Sequence, residues 1–147
     1  MKESSDPITS DEWLLRRVHK KDFVSLAPCT IDKYAFKPNV DGYFPDETGI
    51  SLYRHSCIEH LESVLLKTPE EKRRNYGIVR VSVAILFESG LTVLREDDED
   101  EPIVPGHVVI PQLNCKAYTD KKDAVLPLMK ILADFVNANQ SVLQLPL

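Results

Sequence analysis

Gly77-Ile78-Val79-Arg80-Val81-Ser82-Val83-Ala84-Ile85-Leu86-Phe87-Glu88-Ser89-Gly90 is the stretch on which the fold class turns. Its first half is β-branched and reads as a strand. Its second half could prolong that strand, but Ser82 is a good N-cap and Gly90 a good residue for the left-handed turn that ends a helix. The expectation is a strand over 77–83, a two-turn helix over 83–89 and a further strand over 91–95. A strand running straight into a short helix and back points to an α+β domain with a small mixed sheet and three or four helices, not to a doubly wound fold.

Towards the C-terminus, Pro105-Gly106 is a turn signal and His107-Val108-Val109-Ile110 opens a buried strand over 107–113. Lys122 to Asn137 carries Val125, Leu128, Met129, Leu132 and Val136 at helical spacing, with Pro127 either in its first turn or at a kink. The tail over 140–147 reads as a last strand. Towards the N-terminus, Ile50-Ser51-Leu52-Tyr53-Arg54 alternates as a strand does. Cys57, Ile58, Leu61, Val64 and Leu65 predict a helix over 56–66, and Thr68-Pro69-Glu70-Glu71 the start of another. Tyr34-Ala35-Phe36 fits a short edge strand. Ser10-Asp11-Glu12 followed by Trp13, Leu14 and Val18 reads as a capped helix over 10–18, and residues 1–10 as flexible.

The 147 residues fit a single domain, with 43% hydrophobic and 28% charged residues. No apolar run is long enough to cross a membrane, and the polar start has no signal-peptide core, so a cytoplasmic protein is expected. The net charge of −5 comes from one block, Glu96-Asp97-Asp98-Glu99-Asp100-Glu101, and the rest of the chain is nearly neutral. This acidic loop, 96–104, lacks the ligand spacing of an EF-hand and reads as a solvated or partner-facing segment. The basic clusters Arg16-Arg17, Lys20-Lys21 and Lys72-Arg73-Arg74 are short, which gives nucleic-acid binding no support. Cys29, Cys57 and Cys115 have neither zinc nor disulfide-framework spacing and read as buried free thiols. Neither a P-loop nor GxGxxG occurs, and no cofactor is implied.

Four features could carry chemistry. His107, at a strand mouth, is the candidate acid–base catalyst, although no nucleophile motif accompanies it. Arg54, ending a strand, could clamp a phosphate or carboxylate. Arg80, in mid-strand, must face solvent or find an acid. His55 and Glu59 would share a helix face beside His60, able to bind a metal weakly or, more plainly, to form a surface pair.

The blocks Leu15-Arg16-Arg17-Val18, Ala35-Phe36-Lys37-Pro38, Ile50-Ser51-Leu52-Tyr53-Arg54, Gly77-Ile78-Val79-Arg80-Val81, Gly90-Leu91-Thr92-Val93 and Pro105-Gly106-His107-Val108-Val109-Ile110 follow in an order that resembles a group of small uncharacterised bacterial proteins. The resemblance spans residues 13–113, and this chain departs from it at 43–48 and in its acidic run. It implies a bacterial, single-domain, cytoplasmic protein. Within the blocks, Arg17, Lys37, Ser51, Arg54 and His107 are polar positions that would make a cationic pocket if they converge. Two functions follow as expectations. The first is a non-enzymatic accessory or protein-interaction module of a bacterial multi-protein system, with another protein as partner and the acidic loop and N-terminal segment as contact surfaces. The second is a small enzyme acting on a phosphorylated or nucleotide-like substrate, with Arg17 and Arg54 on the anion and His107 in catalysis.

Overall fold

The strand, helix and cap expected over 77–90 are all present in the computed structural model, which describes residues 2–42, 44–96 and 101–147. Tyr76–Ser82 forms strand β5 and Val83–Glu88 helix α1, with the Ser82 hydroxyl accepting the Ile85 N–H at 3.1 Å. Gly90 takes φ +79° beyond the helix end. The N–H groups of Gly90 and Leu91 bond the carbonyls of Phe87 and Leu86, and buried Leu86 and Leu91 sit across this closing turn. Most of the acidic block, 97–100, lies outside the described residues.

The other strands are β1 (Trp13–His19), β2 (Phe23–Leu26), β3 (Cys29–Ile31), β4 (Ile50–Arg54), β6 (Leu94–Arg95), β7 (His107–Ile110) and β8 (Val142–Gln144). Among the described residues five of them join β5 in one sheet of order β6-β7-β4-β1-β5-β8, every pairing antiparallel, while β2 and β3 form a separate hairpin. Helices α2 (Cys115–Asp120) and α3 (Lys122–Asn139) complete an α+β domain. One face of the sheet, with Leu14, Leu52, Val79 and Val108, packs on α3 through Val125, Met129, Leu132 and Val136. The opposite face carries a smaller cluster of Leu15, Tyr53, Val64, Leu65 and Ile78. Among the described residues no helix is long and apolar enough to cross a membrane.

Several local expectations give way to tertiary structure. Residues 10–18 are not helical: Trp13–His19 is strand β1, paired with β5 from Trp13↔Ser82 to His19↔Tyr76. Adjacent Leu14 and Leu15 each find a buried face of a two-sided sheet, which a helix with one apolar stripe could not provide. The helix expected over 56–66 resolves into 3₁₀ turns at His55–Cys57 and Leu61–Leu65, with extended Ile58 between them. Its apolar residues must follow the contour of the sheet, and neither turn has a side-chain cap. Tyr34–Phe36 lies in a 3₁₀ turn, Lys33–Phe36, capped by Asp32, whose carboxylate accepts the Tyr34 N–H. Thr68 caps nothing, and a 3₁₀ turn begins at Glu70. The strand expected over 91–95 is only Leu94–Arg95, and β7 stops before Pro111.

Helix α2 has no counterpart in the sequence reading; Asn114 starts it by accepting the Ala117 N–H at 2.8 Å. Pro127 lies inside α3 on its exposed side. The tail does form a strand, β8. Of the cysteines, all free, only Cys57 is buried; Cys29 and Cys115 are partly exposed.

The N-terminal segment, expected to be flexible, is tied down. Lys2 N–H bonds the Ser56 carbonyl, and Arg54 gathers the carbonyls of Ser4, Asp6 and Pro7.

Candidate functional site

Strand β1 pairs with β5 along its whole length but with β4 only at Leu14↔Arg54 and Leu15↔Tyr53. The next residue, Arg16, explains the break. Its Nη1 donates to the Ser51 carbonyl at 2.9 Å and its Nε to the Ala35 carbonyl at 2.8 Å. The guanidinium thus stands in for backbone partners where the two central strands part. Burial pulls its pKa down to about 10, against the attraction of Asp46, so it remains a cation at neutral pH.

A cleft of about 800 Å³ opens at this end of the sheet, a size typical of small-ligand sites. Four of the five polar positions singled out above line it: Arg17 from β1, Lys37 from the loop after the Lys33–Phe36 turn, Ser51 from β4 and His107 from β7. His107 Nε2 lies 2.9 Å from Ser51 Oγ. The Tyr53 ring stacks on the imidazole, with centroids 5.2 Å apart and planes at 29°. Arg17 at the mouth donates to the Thr68 hydroxyl and lies over the Tyr76 ring. Lys37 Nζ stands 5.4 Å above the centre of the Tyr118 ring. The close approach of β7 to the start of β4 depends on Gly49, since a Cβ there would come within 2.2 Å of the Ile110 carbonyl oxygen.

Among the described lining residues, Arg16, Arg17, Lys21, Lys37 and Lys67 face only two carboxylates, Asp22 and Asp46. Burial raises the pKa of Asp46, and the Asn39 N–H and the cations Arg16 and Arg17 work against that rise. Tyr34, Tyr53, Tyr76 and Tyr118 supply aromatic surface. A strongly cationic, ring-lined cleft on a chain of net charge −5 is a local device and not a reflection of composition.

Arg54 is not part of this site. It is fully buried, and its donors go to Glu12 Oε1 and Oε2 at 2.8 and 2.9 Å and to the three N-terminal carbonyls. The fork that was expected to clamp a ligand clamps the protein's own chain. Among the described residues no acid pairs with Arg80; its guanidinium lies 4.0 Å from the centre of the Trp13 ring. His55 and Glu59 share no helix face, because extended Ile58 intervenes. Burial lowers the His55 pKa. Among the described residues no group of His, Cys, Asp and Glu gathers to hold a metal ion.

Sequence reasoning missed Arg16, Asp46, Tyr53 and Tyr118. Strand parity would have found Arg16: neighbours on a strand point to opposite faces, so Arg16-Arg17 cannot both be solvated surface. The Asp46 and Tyr118 positions carry no local signal. No family model, curated protein or solved structure matches this chain, so the functional argument rests on the cleft itself.

Proposed function

We propose that the protein holds a phosphorylated ligand bearing a flat ring, of the nucleotide class, in the cleft between β1 and β4. One observation carries this reading: five cations against two carboxylates in a cavity of about 800 Å³ with tyrosine walls. Arginine and lysine suit phosphate oxygens, and tyrosine faces suit a base or other planar group.

Calorimetric titration with adenosine monophosphate and with inorganic phosphate tests it. Saturable binding is expected for both, tighter for the ring-bearing probe and weaker in high salt. Lys37→Glu lowers affinity by about 10-fold, equivalent to about 1.4 kcal/mol. Asp46→Asn removes a negative charge beside Arg16 and Arg17 and raises affinity by roughly 3-fold. Absence of saturable binding, or affinity unmoved by both substitutions, overturns the reading.

A second reading, an accessory module docking on another protein within a bacterial system, draws on a different surface. In the β2–β3 hairpin, Val24 and Leu26 are 68% and 57% exposed and, two residues apart on one strand, share a face. A complex belonging to this surface is expected to survive Lys37→Glu and to be lost in Val24→Asp, measured by co-sedimentation with the purified partner. The opposite pattern would assign the complex to the cleft.

A further inference from the structure

We propose that Ser51 and His107 form a nucleophile–base pair that hydrolyses a phosphomonoester bound in the cleft. The inference rests on the anion-site reading and adds a reaction to it. Three observations place a reactive hydroxyl there. The Ser51 Oγ to His107 Nε2 separation of 2.9 Å is the distance a general base needs from the proton it removes. The pair stands on rigid backbone, since Ser51 pairs with Val109 and Tyr53 with His107 in the β4–β7 ladder. The stacked Tyr53 ring holds the imidazole plane. Arg17 lines the same cleft on the sheet face that Ser51 shares with Tyr53, where it would meet the charge that develops on the equatorial oxygens of a transferring phosphoryl group.

In the first step Ser51 Oγ forms a bond to phosphorus while the bond from phosphorus to the alcohol oxygen breaks. The bonding pair leaves on that oxygen. His107 Nε2 takes and keeps the hydroxyl proton of Ser51, while the departing oxygen, on the far side of phosphorus, takes a proton from solvent water and leaves as the alcohol. In the second step water attacks the phosphoserine from that far side and gives its proton to solvent as the bond from phosphorus to Oγ breaks. The His107 imidazolium returns its proton to Oγ, inorganic phosphate leaves, and the enzyme is restored. No oxidant or reductant is required.

p-Nitrophenyl phosphate is the probe, used with the full chain. Wild-type protein is expected to bind it, release nitrophenolate, and after acid quench show one added phosphoryl group on the peptide containing Ser51. Ser51→Ala keeps probe binding and an unchanged melting temperature while losing at least about 100-fold in turnover, the scale set by removing an activated nucleophile or its base. His107→Gln keeps binding, slows turnover by a similar factor, and leaves any phosphoserine that forms long-lived. Binding without turnover by wild-type protein overturns the catalytic inference and leaves the anion site standing. Equal turnover by wild type and Ser51→Ala also overturns it. No binding of the probe overturns both.

Discussion

Arg54→Ala is expected to lower the unfolding free energy by about 3–5 kcal/mol, the cost of breaking a buried ion pair from one side. The side chain is wholly buried and each of its donors has an oxygen partner: two on Glu12 and one each on the carbonyls of Ser4, Asp6 and Pro7. Truncation leaves a carboxylate and three carbonyls without their donor, and it opens a cavity beside Leu14 and Gly106, which the strand register and the Gly106 contact place next to Arg54. An apolar replacement does not cure this. Arg54→Met refills volume but still strands Glu12. The double variant Arg54→Met with Glu12→Met removes both charges yet leaves the N-terminal carbonyls without partners, so it regains only part of the loss. Urea denaturation provides the measurement. A midpoint for Arg54→Ala that corresponds to less than about 1 kcal/mol of loss would show that the anchor is dispensable.

The same anchor sets the response to acid. Burial alone would raise the Glu12 pKa, but bonds from the Arg54 side chain, the Thr9 N–H and the Ser56 hydroxyl reverse that and lower it from 4.5 to about 2. The unfolded chain therefore binds the proton more readily than the folded one. The stabilisation is fully present above pH 4.5 and is lost as pH falls towards 2, and the pKa gap corresponds to about 3 kcal/mol. Unfolding free energy followed from pH 6 down to pH 2 should decline with the uptake of about one proton from this group in that window. Glu12→Gln should be less stable than wild type at pH 6 and should show a shallower acid decline. A parallel decline in the two proteins would place acid sensitivity elsewhere.

What could be read in the sequence was what is encoded nearby. Ser82 and Gly90 are local cap signals, and they placed the start of α1 at Val83 and its end within one residue. The apolar spacing of Val125, Met129, Leu132 and Val136 found α3, which runs two residues past the expected Asn137. Strand β1 was misread because Ser10-Asp11-Glu12 imitates a helix start. The true partner of Glu12 is 42 residues away, and no window of local sequence contains both. The site divides along the same line. Arg17, Lys37, Ser51 and His107 do line one cleft, whereas Arg54, expected to join them, turns inward to the core. Whether an arginine faces a ligand or its own chain depends on the residues that meet it in space. Arg16 was lost with the helix reading, since its work begins only where β1 and β4 part.

The stack of Arg80 on Trp13 has a practical consequence. Trp13 is the chain's single tryptophan, and its ring lies against Arg80 from β5 and 5.9 Å from the Phe135 ring on α3. One indole therefore touches two strands of the main sheet and its principal helix. Its fluorescence is a built-in optical gauge of whether sheet and helix remain together. The emission changes when β5 slides from β1 or α3 lifts away, and denaturant and acid titrations can be followed without attaching a dye.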